Sequence, residues 1–398
     1  MNAHEVLYRL DITRQTLTKY VKNGIIKAEK KENGQYEYDD ESVYKLLNER
    51  KNSDTKVISW SPATSWFRDD YSPGTLISGQ SRIPFINKIA TNCIEAGENP
   101  IIFDLRGNLK DLYNNPDVKV IKIKDLKRGA FNPFTFYDTP AFYDILDIVK
   151  ILYGEEIEVS NEANLIQAIN DYMKIDNSKD IIGFAKYLLN LENEFLLDVG
   201  KVLSTMENWK PATLITSSMT FTKSSNKTLD YGNILLNKPI IISFEDMSFS
   251  PIICEQTDCY LMSERISLAI LYMLFEKLLN KLRYREDKLS TIMIDDVNIL
   301  FQIKQLAYTF DKMIVYGKTC KKSLVVSTED VTQLPKNIFD GMASKFIFRS
   351  NHKEIAYLGQ ILNFYYEDTN NHIDLYTLPD NVCVFYYPHN YNKLLKVY

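Results

Sequence analysis

The spacing of hydrophobic and polar positions divides this chain into three stretches. Residues 1–51 carry short apolar repeats of helical period separated by tight-turn residues. Residues 52–73 are polar apart from two tryptophans and carry no sustained period. From residue 74 to residue 398, apolar runs of strand length alternate with amphipathic segments. The pattern therefore predicts a small N-terminal domain, a linker and an α/β domain.

The first stretch predicts a compact unit of helices and one hairpin. Thr13 precedes an apolar repeat as a helix N-cap would, and Gly24 follows it as a helix stop. A polar turn then separates two short apolar segments. The predicted elements are the helices Glu5–Leu10, Arg14–Asn23 and Asp40–Lys51 and the hairpin turn Lys30–Gly34.

The third stretch predicts a mostly parallel sheet covered by helices on both faces, because its strands alternate with helices. Residues 138–210 are helical in pattern with few Gly or Pro, which indicates an all-helical insertion, and a long helix is predicted at Ser263–Arg285. The predicted strands are Thr75–Ser78, Pro100–Phe103, Val118–Ile123, Pro239–Phe244, Leu289–Ile294, Ser323–Val326, Lys345–Phe348 and Val382–Tyr387.

Composition limits the partners and the compartment. The 47 basic side chains face 52 acidic ones, so bulk charge gives no support for nonspecific nucleic-acid binding and any such contact needs a local patch. The five cysteines form no C-x-x-C pair and the four histidines lack metal-ligand spacing, so we expect no metal site. Without a signal peptide or an apolar run of membrane-spanning length, the expected location is the cytoplasm.

Residues 13–26, TRQTLTKYVKNGII, followed by NGQYEY at 33–38, resemble the winged helix-turn-helix of the MerR and excisionase class. In a helix with this sequence, Leu17, Tyr20 and Val21 would face a small core. The resemblance implies DNA binding by this unit, and a small adaptor that binds protein with the same fold remains the alternative. The candidate DNA contacts are Arg14, Gln15, Thr16, Lys19 and Tyr20.

A phosphate-binding loop is present in outline at residues 75–90, TLISGQSRIPFINKIA. A functional loop of this kind reads G-x-x-x-x-G-K-[ST] after a strand and before a helix. With its first glycine at Gly79, the second glycine falls on Pro84, the lysine on Phe85 and the hydroxyl on Ile86. Pro84 has no amide donor and Phe85 has no charge, so Arg82 or Lys88 would have to supply the missing cation.

An ordered set of segments in residues 74–398 resembles the FtsK/HerA class of ring ATPases, in particular the conjugation ATPases and coupling proteins of type IV secretion. It comprises IIFDLRGNL at 101–109, a predicted turn at Asn132-Pro133-Phe134, the helical insertion, residues 228–244, TIMIDD at 291–296 and LVVSTED at 324–330. The resemblance implies a RecA-like fold and a tendency to form rings. It also places Asp295 and Asp296 at the Walker B position, with Asp296 in place of the usual Glu; a strand-end acidic pair that caps the sheet is the alternative. Glu329 stands at the γ-phosphate sensor in place of a common Gln and would repel the phosphate. Arg349 is either an arginine finger or a surface salt-bridge residue.

The departures from this family lead to a specific expectation. The lysine, the loop glycines and the metal-binding hydroxyl are replaced together, which should lower phosphoryl transfer by several orders of magnitude. We therefore expect a DNA-binding, catalytically inactive relative of these ATPases, with ATP and magnesium as cofactors only if the loop is rearranged. Its partners would be DNA through residues 1–51 and further copies, a ring ATPase or a secretion component. The alternatives are an active motor, a transcriptional regulator with an α/β sensor domain, and a generic doubly wound sheet.

Overall fold

The computed structural model covers most of both predicted domains. The residues that the structure describes are 2–10, 14–31, 34, 36–43, 74–126, 128–136, 142–175, 179–209, 212–216, 238–249, 252–254, 257–259, 262–283, 289–319, 322–362, 375–387 and 390–396. Thr13, the predicted linker 52–73 and residues 228–237 lie outside them. Of the helix predicted at Asp40–Lys51, only residues 40–43 are described.

The N-terminal unit contains two helices followed by an antiparallel hairpin. Gly24 ends the second helix at φ +70°, a left-handed conformation that favours glycine. A small core of Val6, Leu17, Ile26, Tyr38 and Val43 holds the elements together. They are α1 (Ala3–Leu10), α2 (Arg14–Lys22), β1 (Ala28–Lys30) and β2 (Tyr36–Tyr38).

The α/β domain is built on a nine-stranded sheet in the order β13-β12-β11-β3-β10-β9-β4-β6-β5. The strands from β11 to β5 pair in parallel, whereas β12 and β13 pair antiparallel at one edge. A separate hairpin joins β7 to β8. The bounds are β3 Gly74–Ser78, β4 Asn99–Asp104, β5 Lys119–Lys122, β6 Ile240–Ser243, β7 Ile252–Cys254, β8 Thr257–Cys259, β9 Leu289–Asp295, β10 Ser323–Thr328, β11 Ser344–Ile347, β12 Val382–Tyr387 and β13 Asn390–Lys396.

This sheet confirms the predicted α/β, mostly parallel fold. All eight predicted strands are present, and no strand end differs from the prediction by more than two residues. The sequence pattern did not predict β13 or the β7–β8 hairpin. Among the described residues, no helix is long and apolar enough to cross a membrane.

Helices fill the connections between strands. Six of the described helices lie between β5 and β6, and the four that span residues 142–204 fall within the predicted helical insertion at 138–210. The described helices of this domain are α3 Arg82–Glu95, α4 Pro133–Phe136, α5 Phe142–Tyr153, α6 Val159–Met173, α7 Ile181–Leu188, α8 Glu194–Ser204, α9 Thr213–Thr216, α10 Met262–Arg283, α11 Lys304–Thr319, α12 Lys336–Gly341 and α13 His352–Leu362.

The Asn132-Pro133-Phe134 segment begins a short helix where the sequence pattern predicted a turn. Pro133 occupies the first helical position, where its missing N–H costs nothing. The Asn132 side-chain oxygen accepts a hydrogen bond from the Phe134 N–H at 3.1 Å, and its amide donates to the Lys179 carbonyl at 2.7 Å. The Asn-Pro pair therefore caps α4 and ties it to the insertion.

The two faces of the sheet carry separate cores, since successive residues of a strand point to opposite sides. In β4, Phe103 packs edge-on against Phe275 of α10 with ring centroids 4.7 Å apart. Its neighbour Ile102 belongs to the other core, which includes Phe85 and Ile89 of α3. The helical insertion and α10 thus cover one face, and α3 covers the other.

The strand order places several chain segments along one edge. The carboxyl ends of β3, β10, β9 and β4 lie side by side, and the strand register aligns Ile77 with Ser327 and Asp104 with Asp295. Polar residues at or just beyond these strand ends therefore converge. In open α/β sheets this carboxyl edge is where ligand sites form.

Candidate functional site

The loop after β3 is short and closed on the protein. Gly79 has φ +104°, and a Cβ there would lie 2.7 Å from the Arg349 carbonyl oxygen, so the position requires glycine. The Gly79 N–H donates to the Thr328 carbonyl at 3.2 Å, and the Gln80 N–H donates to the Arg349 carbonyl at 3.1 Å. Two amides that would face a phosphate in a functional loop are bonded within the protein.

Helix α3 begins at Arg82, only three residues after Gly79. Pro84, Phe85 and Ile86 therefore lie inside the helix instead of in a loop. Phe85 is buried, with ring centroids 4.9 Å from Phe346 and 5.5 Å from Phe348. The positions of the lysine and the metal-binding hydroxyl are thus hydrophobic core, and they offer a magnesium nucleotide neither a cation nor a hydroxyl.

The Arg82 side chain occupies the space between this loop and the end of β9. It is only 4% exposed. Its Nη2 lies 2.8 Å from Asp296 Oδ1, its Nε 3.5 Å from Asp295 Oδ1 and its Nη1 4.0 Å from Glu329 Oε2. A guanidinium is always charged at physiological pH, so Arg82 places a permanent cation against the Asp295–Asp296 pair.

The two aspartates differ in their surroundings. Asp295 accepts hydrogen bonds from the Ser327 hydroxyl at 2.5 Å and from the Asn108 amide at 2.9 Å. Asp296 adopts the left-handed conformation at φ 57°, which costs free energy for a residue other than glycine. Its second carboxylate oxygen lies 3.4 Å from Arg106 Nε. The ion pairs with Arg82 and Arg106 therefore stabilise Asp296 in this strained backbone conformation.

Burial raises the pKa of Asp296, and the charge of Asp295 raises it further. Arg82 and Arg106 act in the opposite direction. Two adjacent carboxylates in a dry site would otherwise compete for one proton. The two arginines therefore offset part of the rise in the pKa of Asp296.

A second polar cluster adjoins the first at the end of β4. Asp104 accepts hydrogen bonds from the backbone N–H groups of Asn108 and Leu109 and from the Tyr113 hydroxyl at 2.6 Å. The Tyr113 oxygen also lies 2.7 Å from Ser243 Oγ. Burial raises the pKa of Asp104, while these donors lower it. Asn108 bonds both Asp104 and Asp295, so it connects the two clusters.

The remaining predicted nucleotide-site residues lie around the rim. Glu329 is exposed, and Lys88 lies half-buried on α3, where burial lowers its pKa. Arg349 Nη2 forms an ion pair with Asp380 Oδ1 at 3.0 Å, and the same carboxylate oxygen accepts from the Ser81 hydroxyl at 2.8 Å. Arg349 thus contacts the loop of its own chain. Within the described residues, no group of His, Cys, Asp and Glu fits a metal ion.

Sequence reasoning missed four members of this site: Arg106, Asn108, Ser327 and Asp380. The first three follow or end strands at the carboxyl edge, so the rule that polar residues at these ends converge would have identified them. Asp380 comes from a distant loop before β12 and gave no local signal.

The candidate DNA contacts lie on α2. Arg14, Gln15 and Lys19 are exposed, whereas Thr16 and Tyr20 are half-buried. Tyr20 packs against the small core of the unit. The structure thus leaves three of the five side chains fully available to a partner.

Replacing Arg82 by alanine should destabilise the domain strongly, because it leaves Asp295 and Asp296 buried without their main cation. We expect a loss of about 3–5 kcal/mol in the free energy of unfolding near neutral pH. Since uncompensated carboxylates take up protons in the folded state, the loss should shrink as the pH falls toward about 4. Urea unfolding across this pH range measures both effects.

The matched variants for this prediction are Arg106→Ala and the pair Arg82→Ala with Asp296→Asn. Arg106 is 40% exposed, so its loss should cost much less. The paired variant removes one of the carboxylates and should recover part of the stability. An Arg82→Ala protein as stable as wild type at all pH values would contradict this account of the site.

Known proteins resemble this chain in structure but not in sequence. No family model and no curated protein matches the sequence. Among solved structures, VirB4 of Thermoanaerobacter pseudethanolicus matches with a TM-score of 0.60 at 11% identity, covering 82% of this chain and 89% of VirB4. The plasmid coupling protein TrwB in complex with the non-hydrolysable GTP analogue GDPNP matches with a TM-score of 0.54 at 11% identity, covering 86% of this chain and 89% of TrwB.

A third structure agrees with these two. The unbound monoclinic form of the bacterial conjugative coupling protein TrwBdeltaN70 matches with a TM-score of 0.52 at 13% identity, covering 83% of this chain and 85% of that chain. The likeness extends over most of both chains in all three cases. The α/β domain of this protein therefore has the RecA-like fold that VirB4 and the coupling protein TrwB share.

Proposed function

We propose that this protein binds DNA and is a catalytically inactive relative of the conjugation ATPases, with an α/β domain that serves assembly or docking. Its role would lie in DNA transfer or in the maintenance of a mobile element, in the cytoplasm. The observation that carries the proposal is the Arg82 guanidinium on Asp295 and Asp296, at the edge of the sheet where a nucleotide would bind.

The first argument concerns charge. A phosphoryl-transfer site uses a lysine and a metal ion to neutralise the phosphates, and acidic residues hold the metal. Here the acidic residues are already neutralised by Arg82 and Arg106, and Phe85 stands at the lysine position. Loss of a single transition-state donor typically costs 10²–10³-fold in rate, so several losses together leave no useful turnover.

The second argument concerns the cost of opening the loop. An open loop would break the hydrogen bonds of Gly79 and Gln80 and would remove Phe85 from its contacts with Phe346 and Phe348. A buried aromatic side chain contributes about 1.5–3 kcal/mol and each hydrogen bond about 0.5–1.5 kcal/mol. Rearrangement into a phosphate cradle is therefore uphill by several kcal/mol, which disfavours the active-motor alternative.

The third argument concerns DNA. Helix α2 exposes Arg14, Gln15 and Lys19 on one surface of a unit whose sequence resembles a winged helix-turn-helix. These side chains suit phosphate and base-edge contacts in a major groove. The solved structures that match the α/β domain include VirB4 and a bacterial conjugative coupling protein. The N-terminal unit and the α/β domain therefore both favour a role in DNA transfer.

Phosphate release from magnesium-ATP tests catalytic inactivity. We expect wild type and Asp295→Asn to give the same background rate, with or without double-stranded DNA, because the site lacks its cation and hydroxyl. Circular dichroism should first confirm that both proteins are folded. DNA-stimulated turnover that Asp295→Asn abolishes would establish the active motor instead.

DNA binding is tested by replacing Arg14 and Lys19 with alanine together. If each side chain neutralises one phosphate, binding should weaken and the slope of log K against log salt should fall by about 2. Fluorescence anisotropy at several salt concentrations gives both values. Lys186→Ala with Lys201→Ala, on the helical insertion, is the matched control and should leave binding unchanged.

Unchanged affinity and slope in the Arg14 and Lys19 variant would remove DNA binding by α2 from the proposal. The transcriptional-regulator alternative makes a further distinction. It requires a footprint at a specific promoter and altered expression when the gene is deleted.

A further inference from the structure

Helix α11 exposes two large hydrophobic residues to solvent on the side opposite the core. Leu306, Phe310 and Met313 on its inner side are fully buried. On the outer side, Tyr308 is 64% exposed and Val315 is 62% exposed. The two residues are seven positions apart, so they lie on the same face two turns from each other. Two large hydrophobic side chains on one helix face can both pack against the same partner helix.

Two opposite charges lie between these apolar residues. The Asp311 side chain is exposed and makes no hydrogen bond or ion pair within the described residues, and desolvation raises the pKa of its carboxyl group. Lys312 follows it, with its Nζ 4.3 Å from the centroid of the Tyr308 ring and 3.7 Å from Glu276 Oε1. Along the helix, this face therefore carries an apolar, an acidic, a basic and a second apolar residue, at positions 308, 311, 312 and 315.

This order is self-complementary about a two-fold axis between residues 311 and 312. In an antiparallel pair of α11 helices, residue 308 of one copy opposes residue 315 of the other, and residue 311 opposes residue 312. The helix ends then place Lys304 against Thr319, so no like charges meet. A two-fold interface has this property, because the same patch serves both subunits.

We propose that the Tyr308–Val315 face of α11 binds the same face of a second copy of this chain. Tyr308 of each copy packs on Val315 of the other, and Asp311 pairs with Lys312 across the axis. This inference does not depend on DNA binding or on catalytic inactivity.

The start of α5 lies near α11. Burial and the charge of Glu276 raise the pKa of Asp144 to about 6, and Lys312 opposes the shift, which places Asp144 close to α11. The preceding residue, Tyr143, is 68% exposed. One helix pair alone buries less than the roughly 800 Å² per partner of a standard interface, so we expect a dimer of micromolar affinity.

Sedimentation velocity over a range of protein concentrations tests the dimer. Wild type should pass from monomer to dimer as concentration rises, whereas Tyr308→Asp with Val315→Asp should weaken the dimer at least about tenfold. Val159→Asp, at an exposed position on α6, is the matched control and should behave as wild type. All three substitutions are at exposed sites, and equal melting temperatures should confirm that the variants are folded.

Disulfide cross-linking tests the symmetry. A mixture of Tyr308→Cys and Val315→Cys proteins should give a covalent dimer on mild oxidation, whereas each variant alone and wild type should give only background. A wild type that is monomeric at every concentration would overturn the proposal and leave the face to a different protein. Assembly that the aspartate variants leave unchanged, or cross-linking by either cysteine variant alone, would also overturn it.

Discussion

Arg82 sits between two adjacent carboxylates in a site almost without solvent, and much of the local structure follows from that ion-pair cluster. Its charge compensates the buried carboxylates of Asp295 and Asp296 at the end of β9. Arg106 adds a second cation at the rim. Removing a buried cation of this kind is far more costly than removing an exposed one, because the remaining carboxylates keep their desolvation penalty. The cluster therefore fixes where α3 begins relative to the sheet.

The loop after β3 is also held closed by the C-terminal part of the domain. Gly79 lies against the backbone of Phe348 and Arg349, and Ser81 is tied to Asp380, which in turn holds Arg349. The strand end and the C-terminal part of the domain thus close the loop, while Phe85 fills the space beneath it. A RecA-like scaffold is retained, and the space at its ligand edge is occupied by the protein's own side chains.

Much of this fold could be predicted from sequence. The strands of a buried parallel sheet are continuous apolar runs, which stand out from the amphipathic helices between them. Strand β13, Asn390–Lys396, was not predicted because its sequence, NYNKLLK, is too polar to form the apolar run that marks a buried strand. Helix α4 was not predicted because an Asn-Pro pair is equally a turn and a helix cap. These errors lie where local sequence leaves two conformations close in free energy.

The candidate site was predictable only in part. Gly79 and Arg82 were identified from the outline of a phosphate-binding loop. Asp295, Asp296 and Glu329 were identified from the resemblance to the FtsK/HerA class, and the structure brings these residues together. Their arrangement was not predictable, since nothing in the sequence indicates that helix α3 begins at Arg82 and directs its guanidinium inward. The contribution of Asp380 depends on tertiary contact between segments about 300 residues apart, which no local pattern encodes.

The central claim is that Arg82 and the closed loop replace a nucleotide at this edge of the sheet. Isothermal titration calorimetry of the purified protein with a non-hydrolysable ATP analogue and magnesium tests it most directly. The account predicts no binding heat at micromolar concentrations and no change in the melting temperature. Magnesium-dependent binding with micromolar affinity would contradict it.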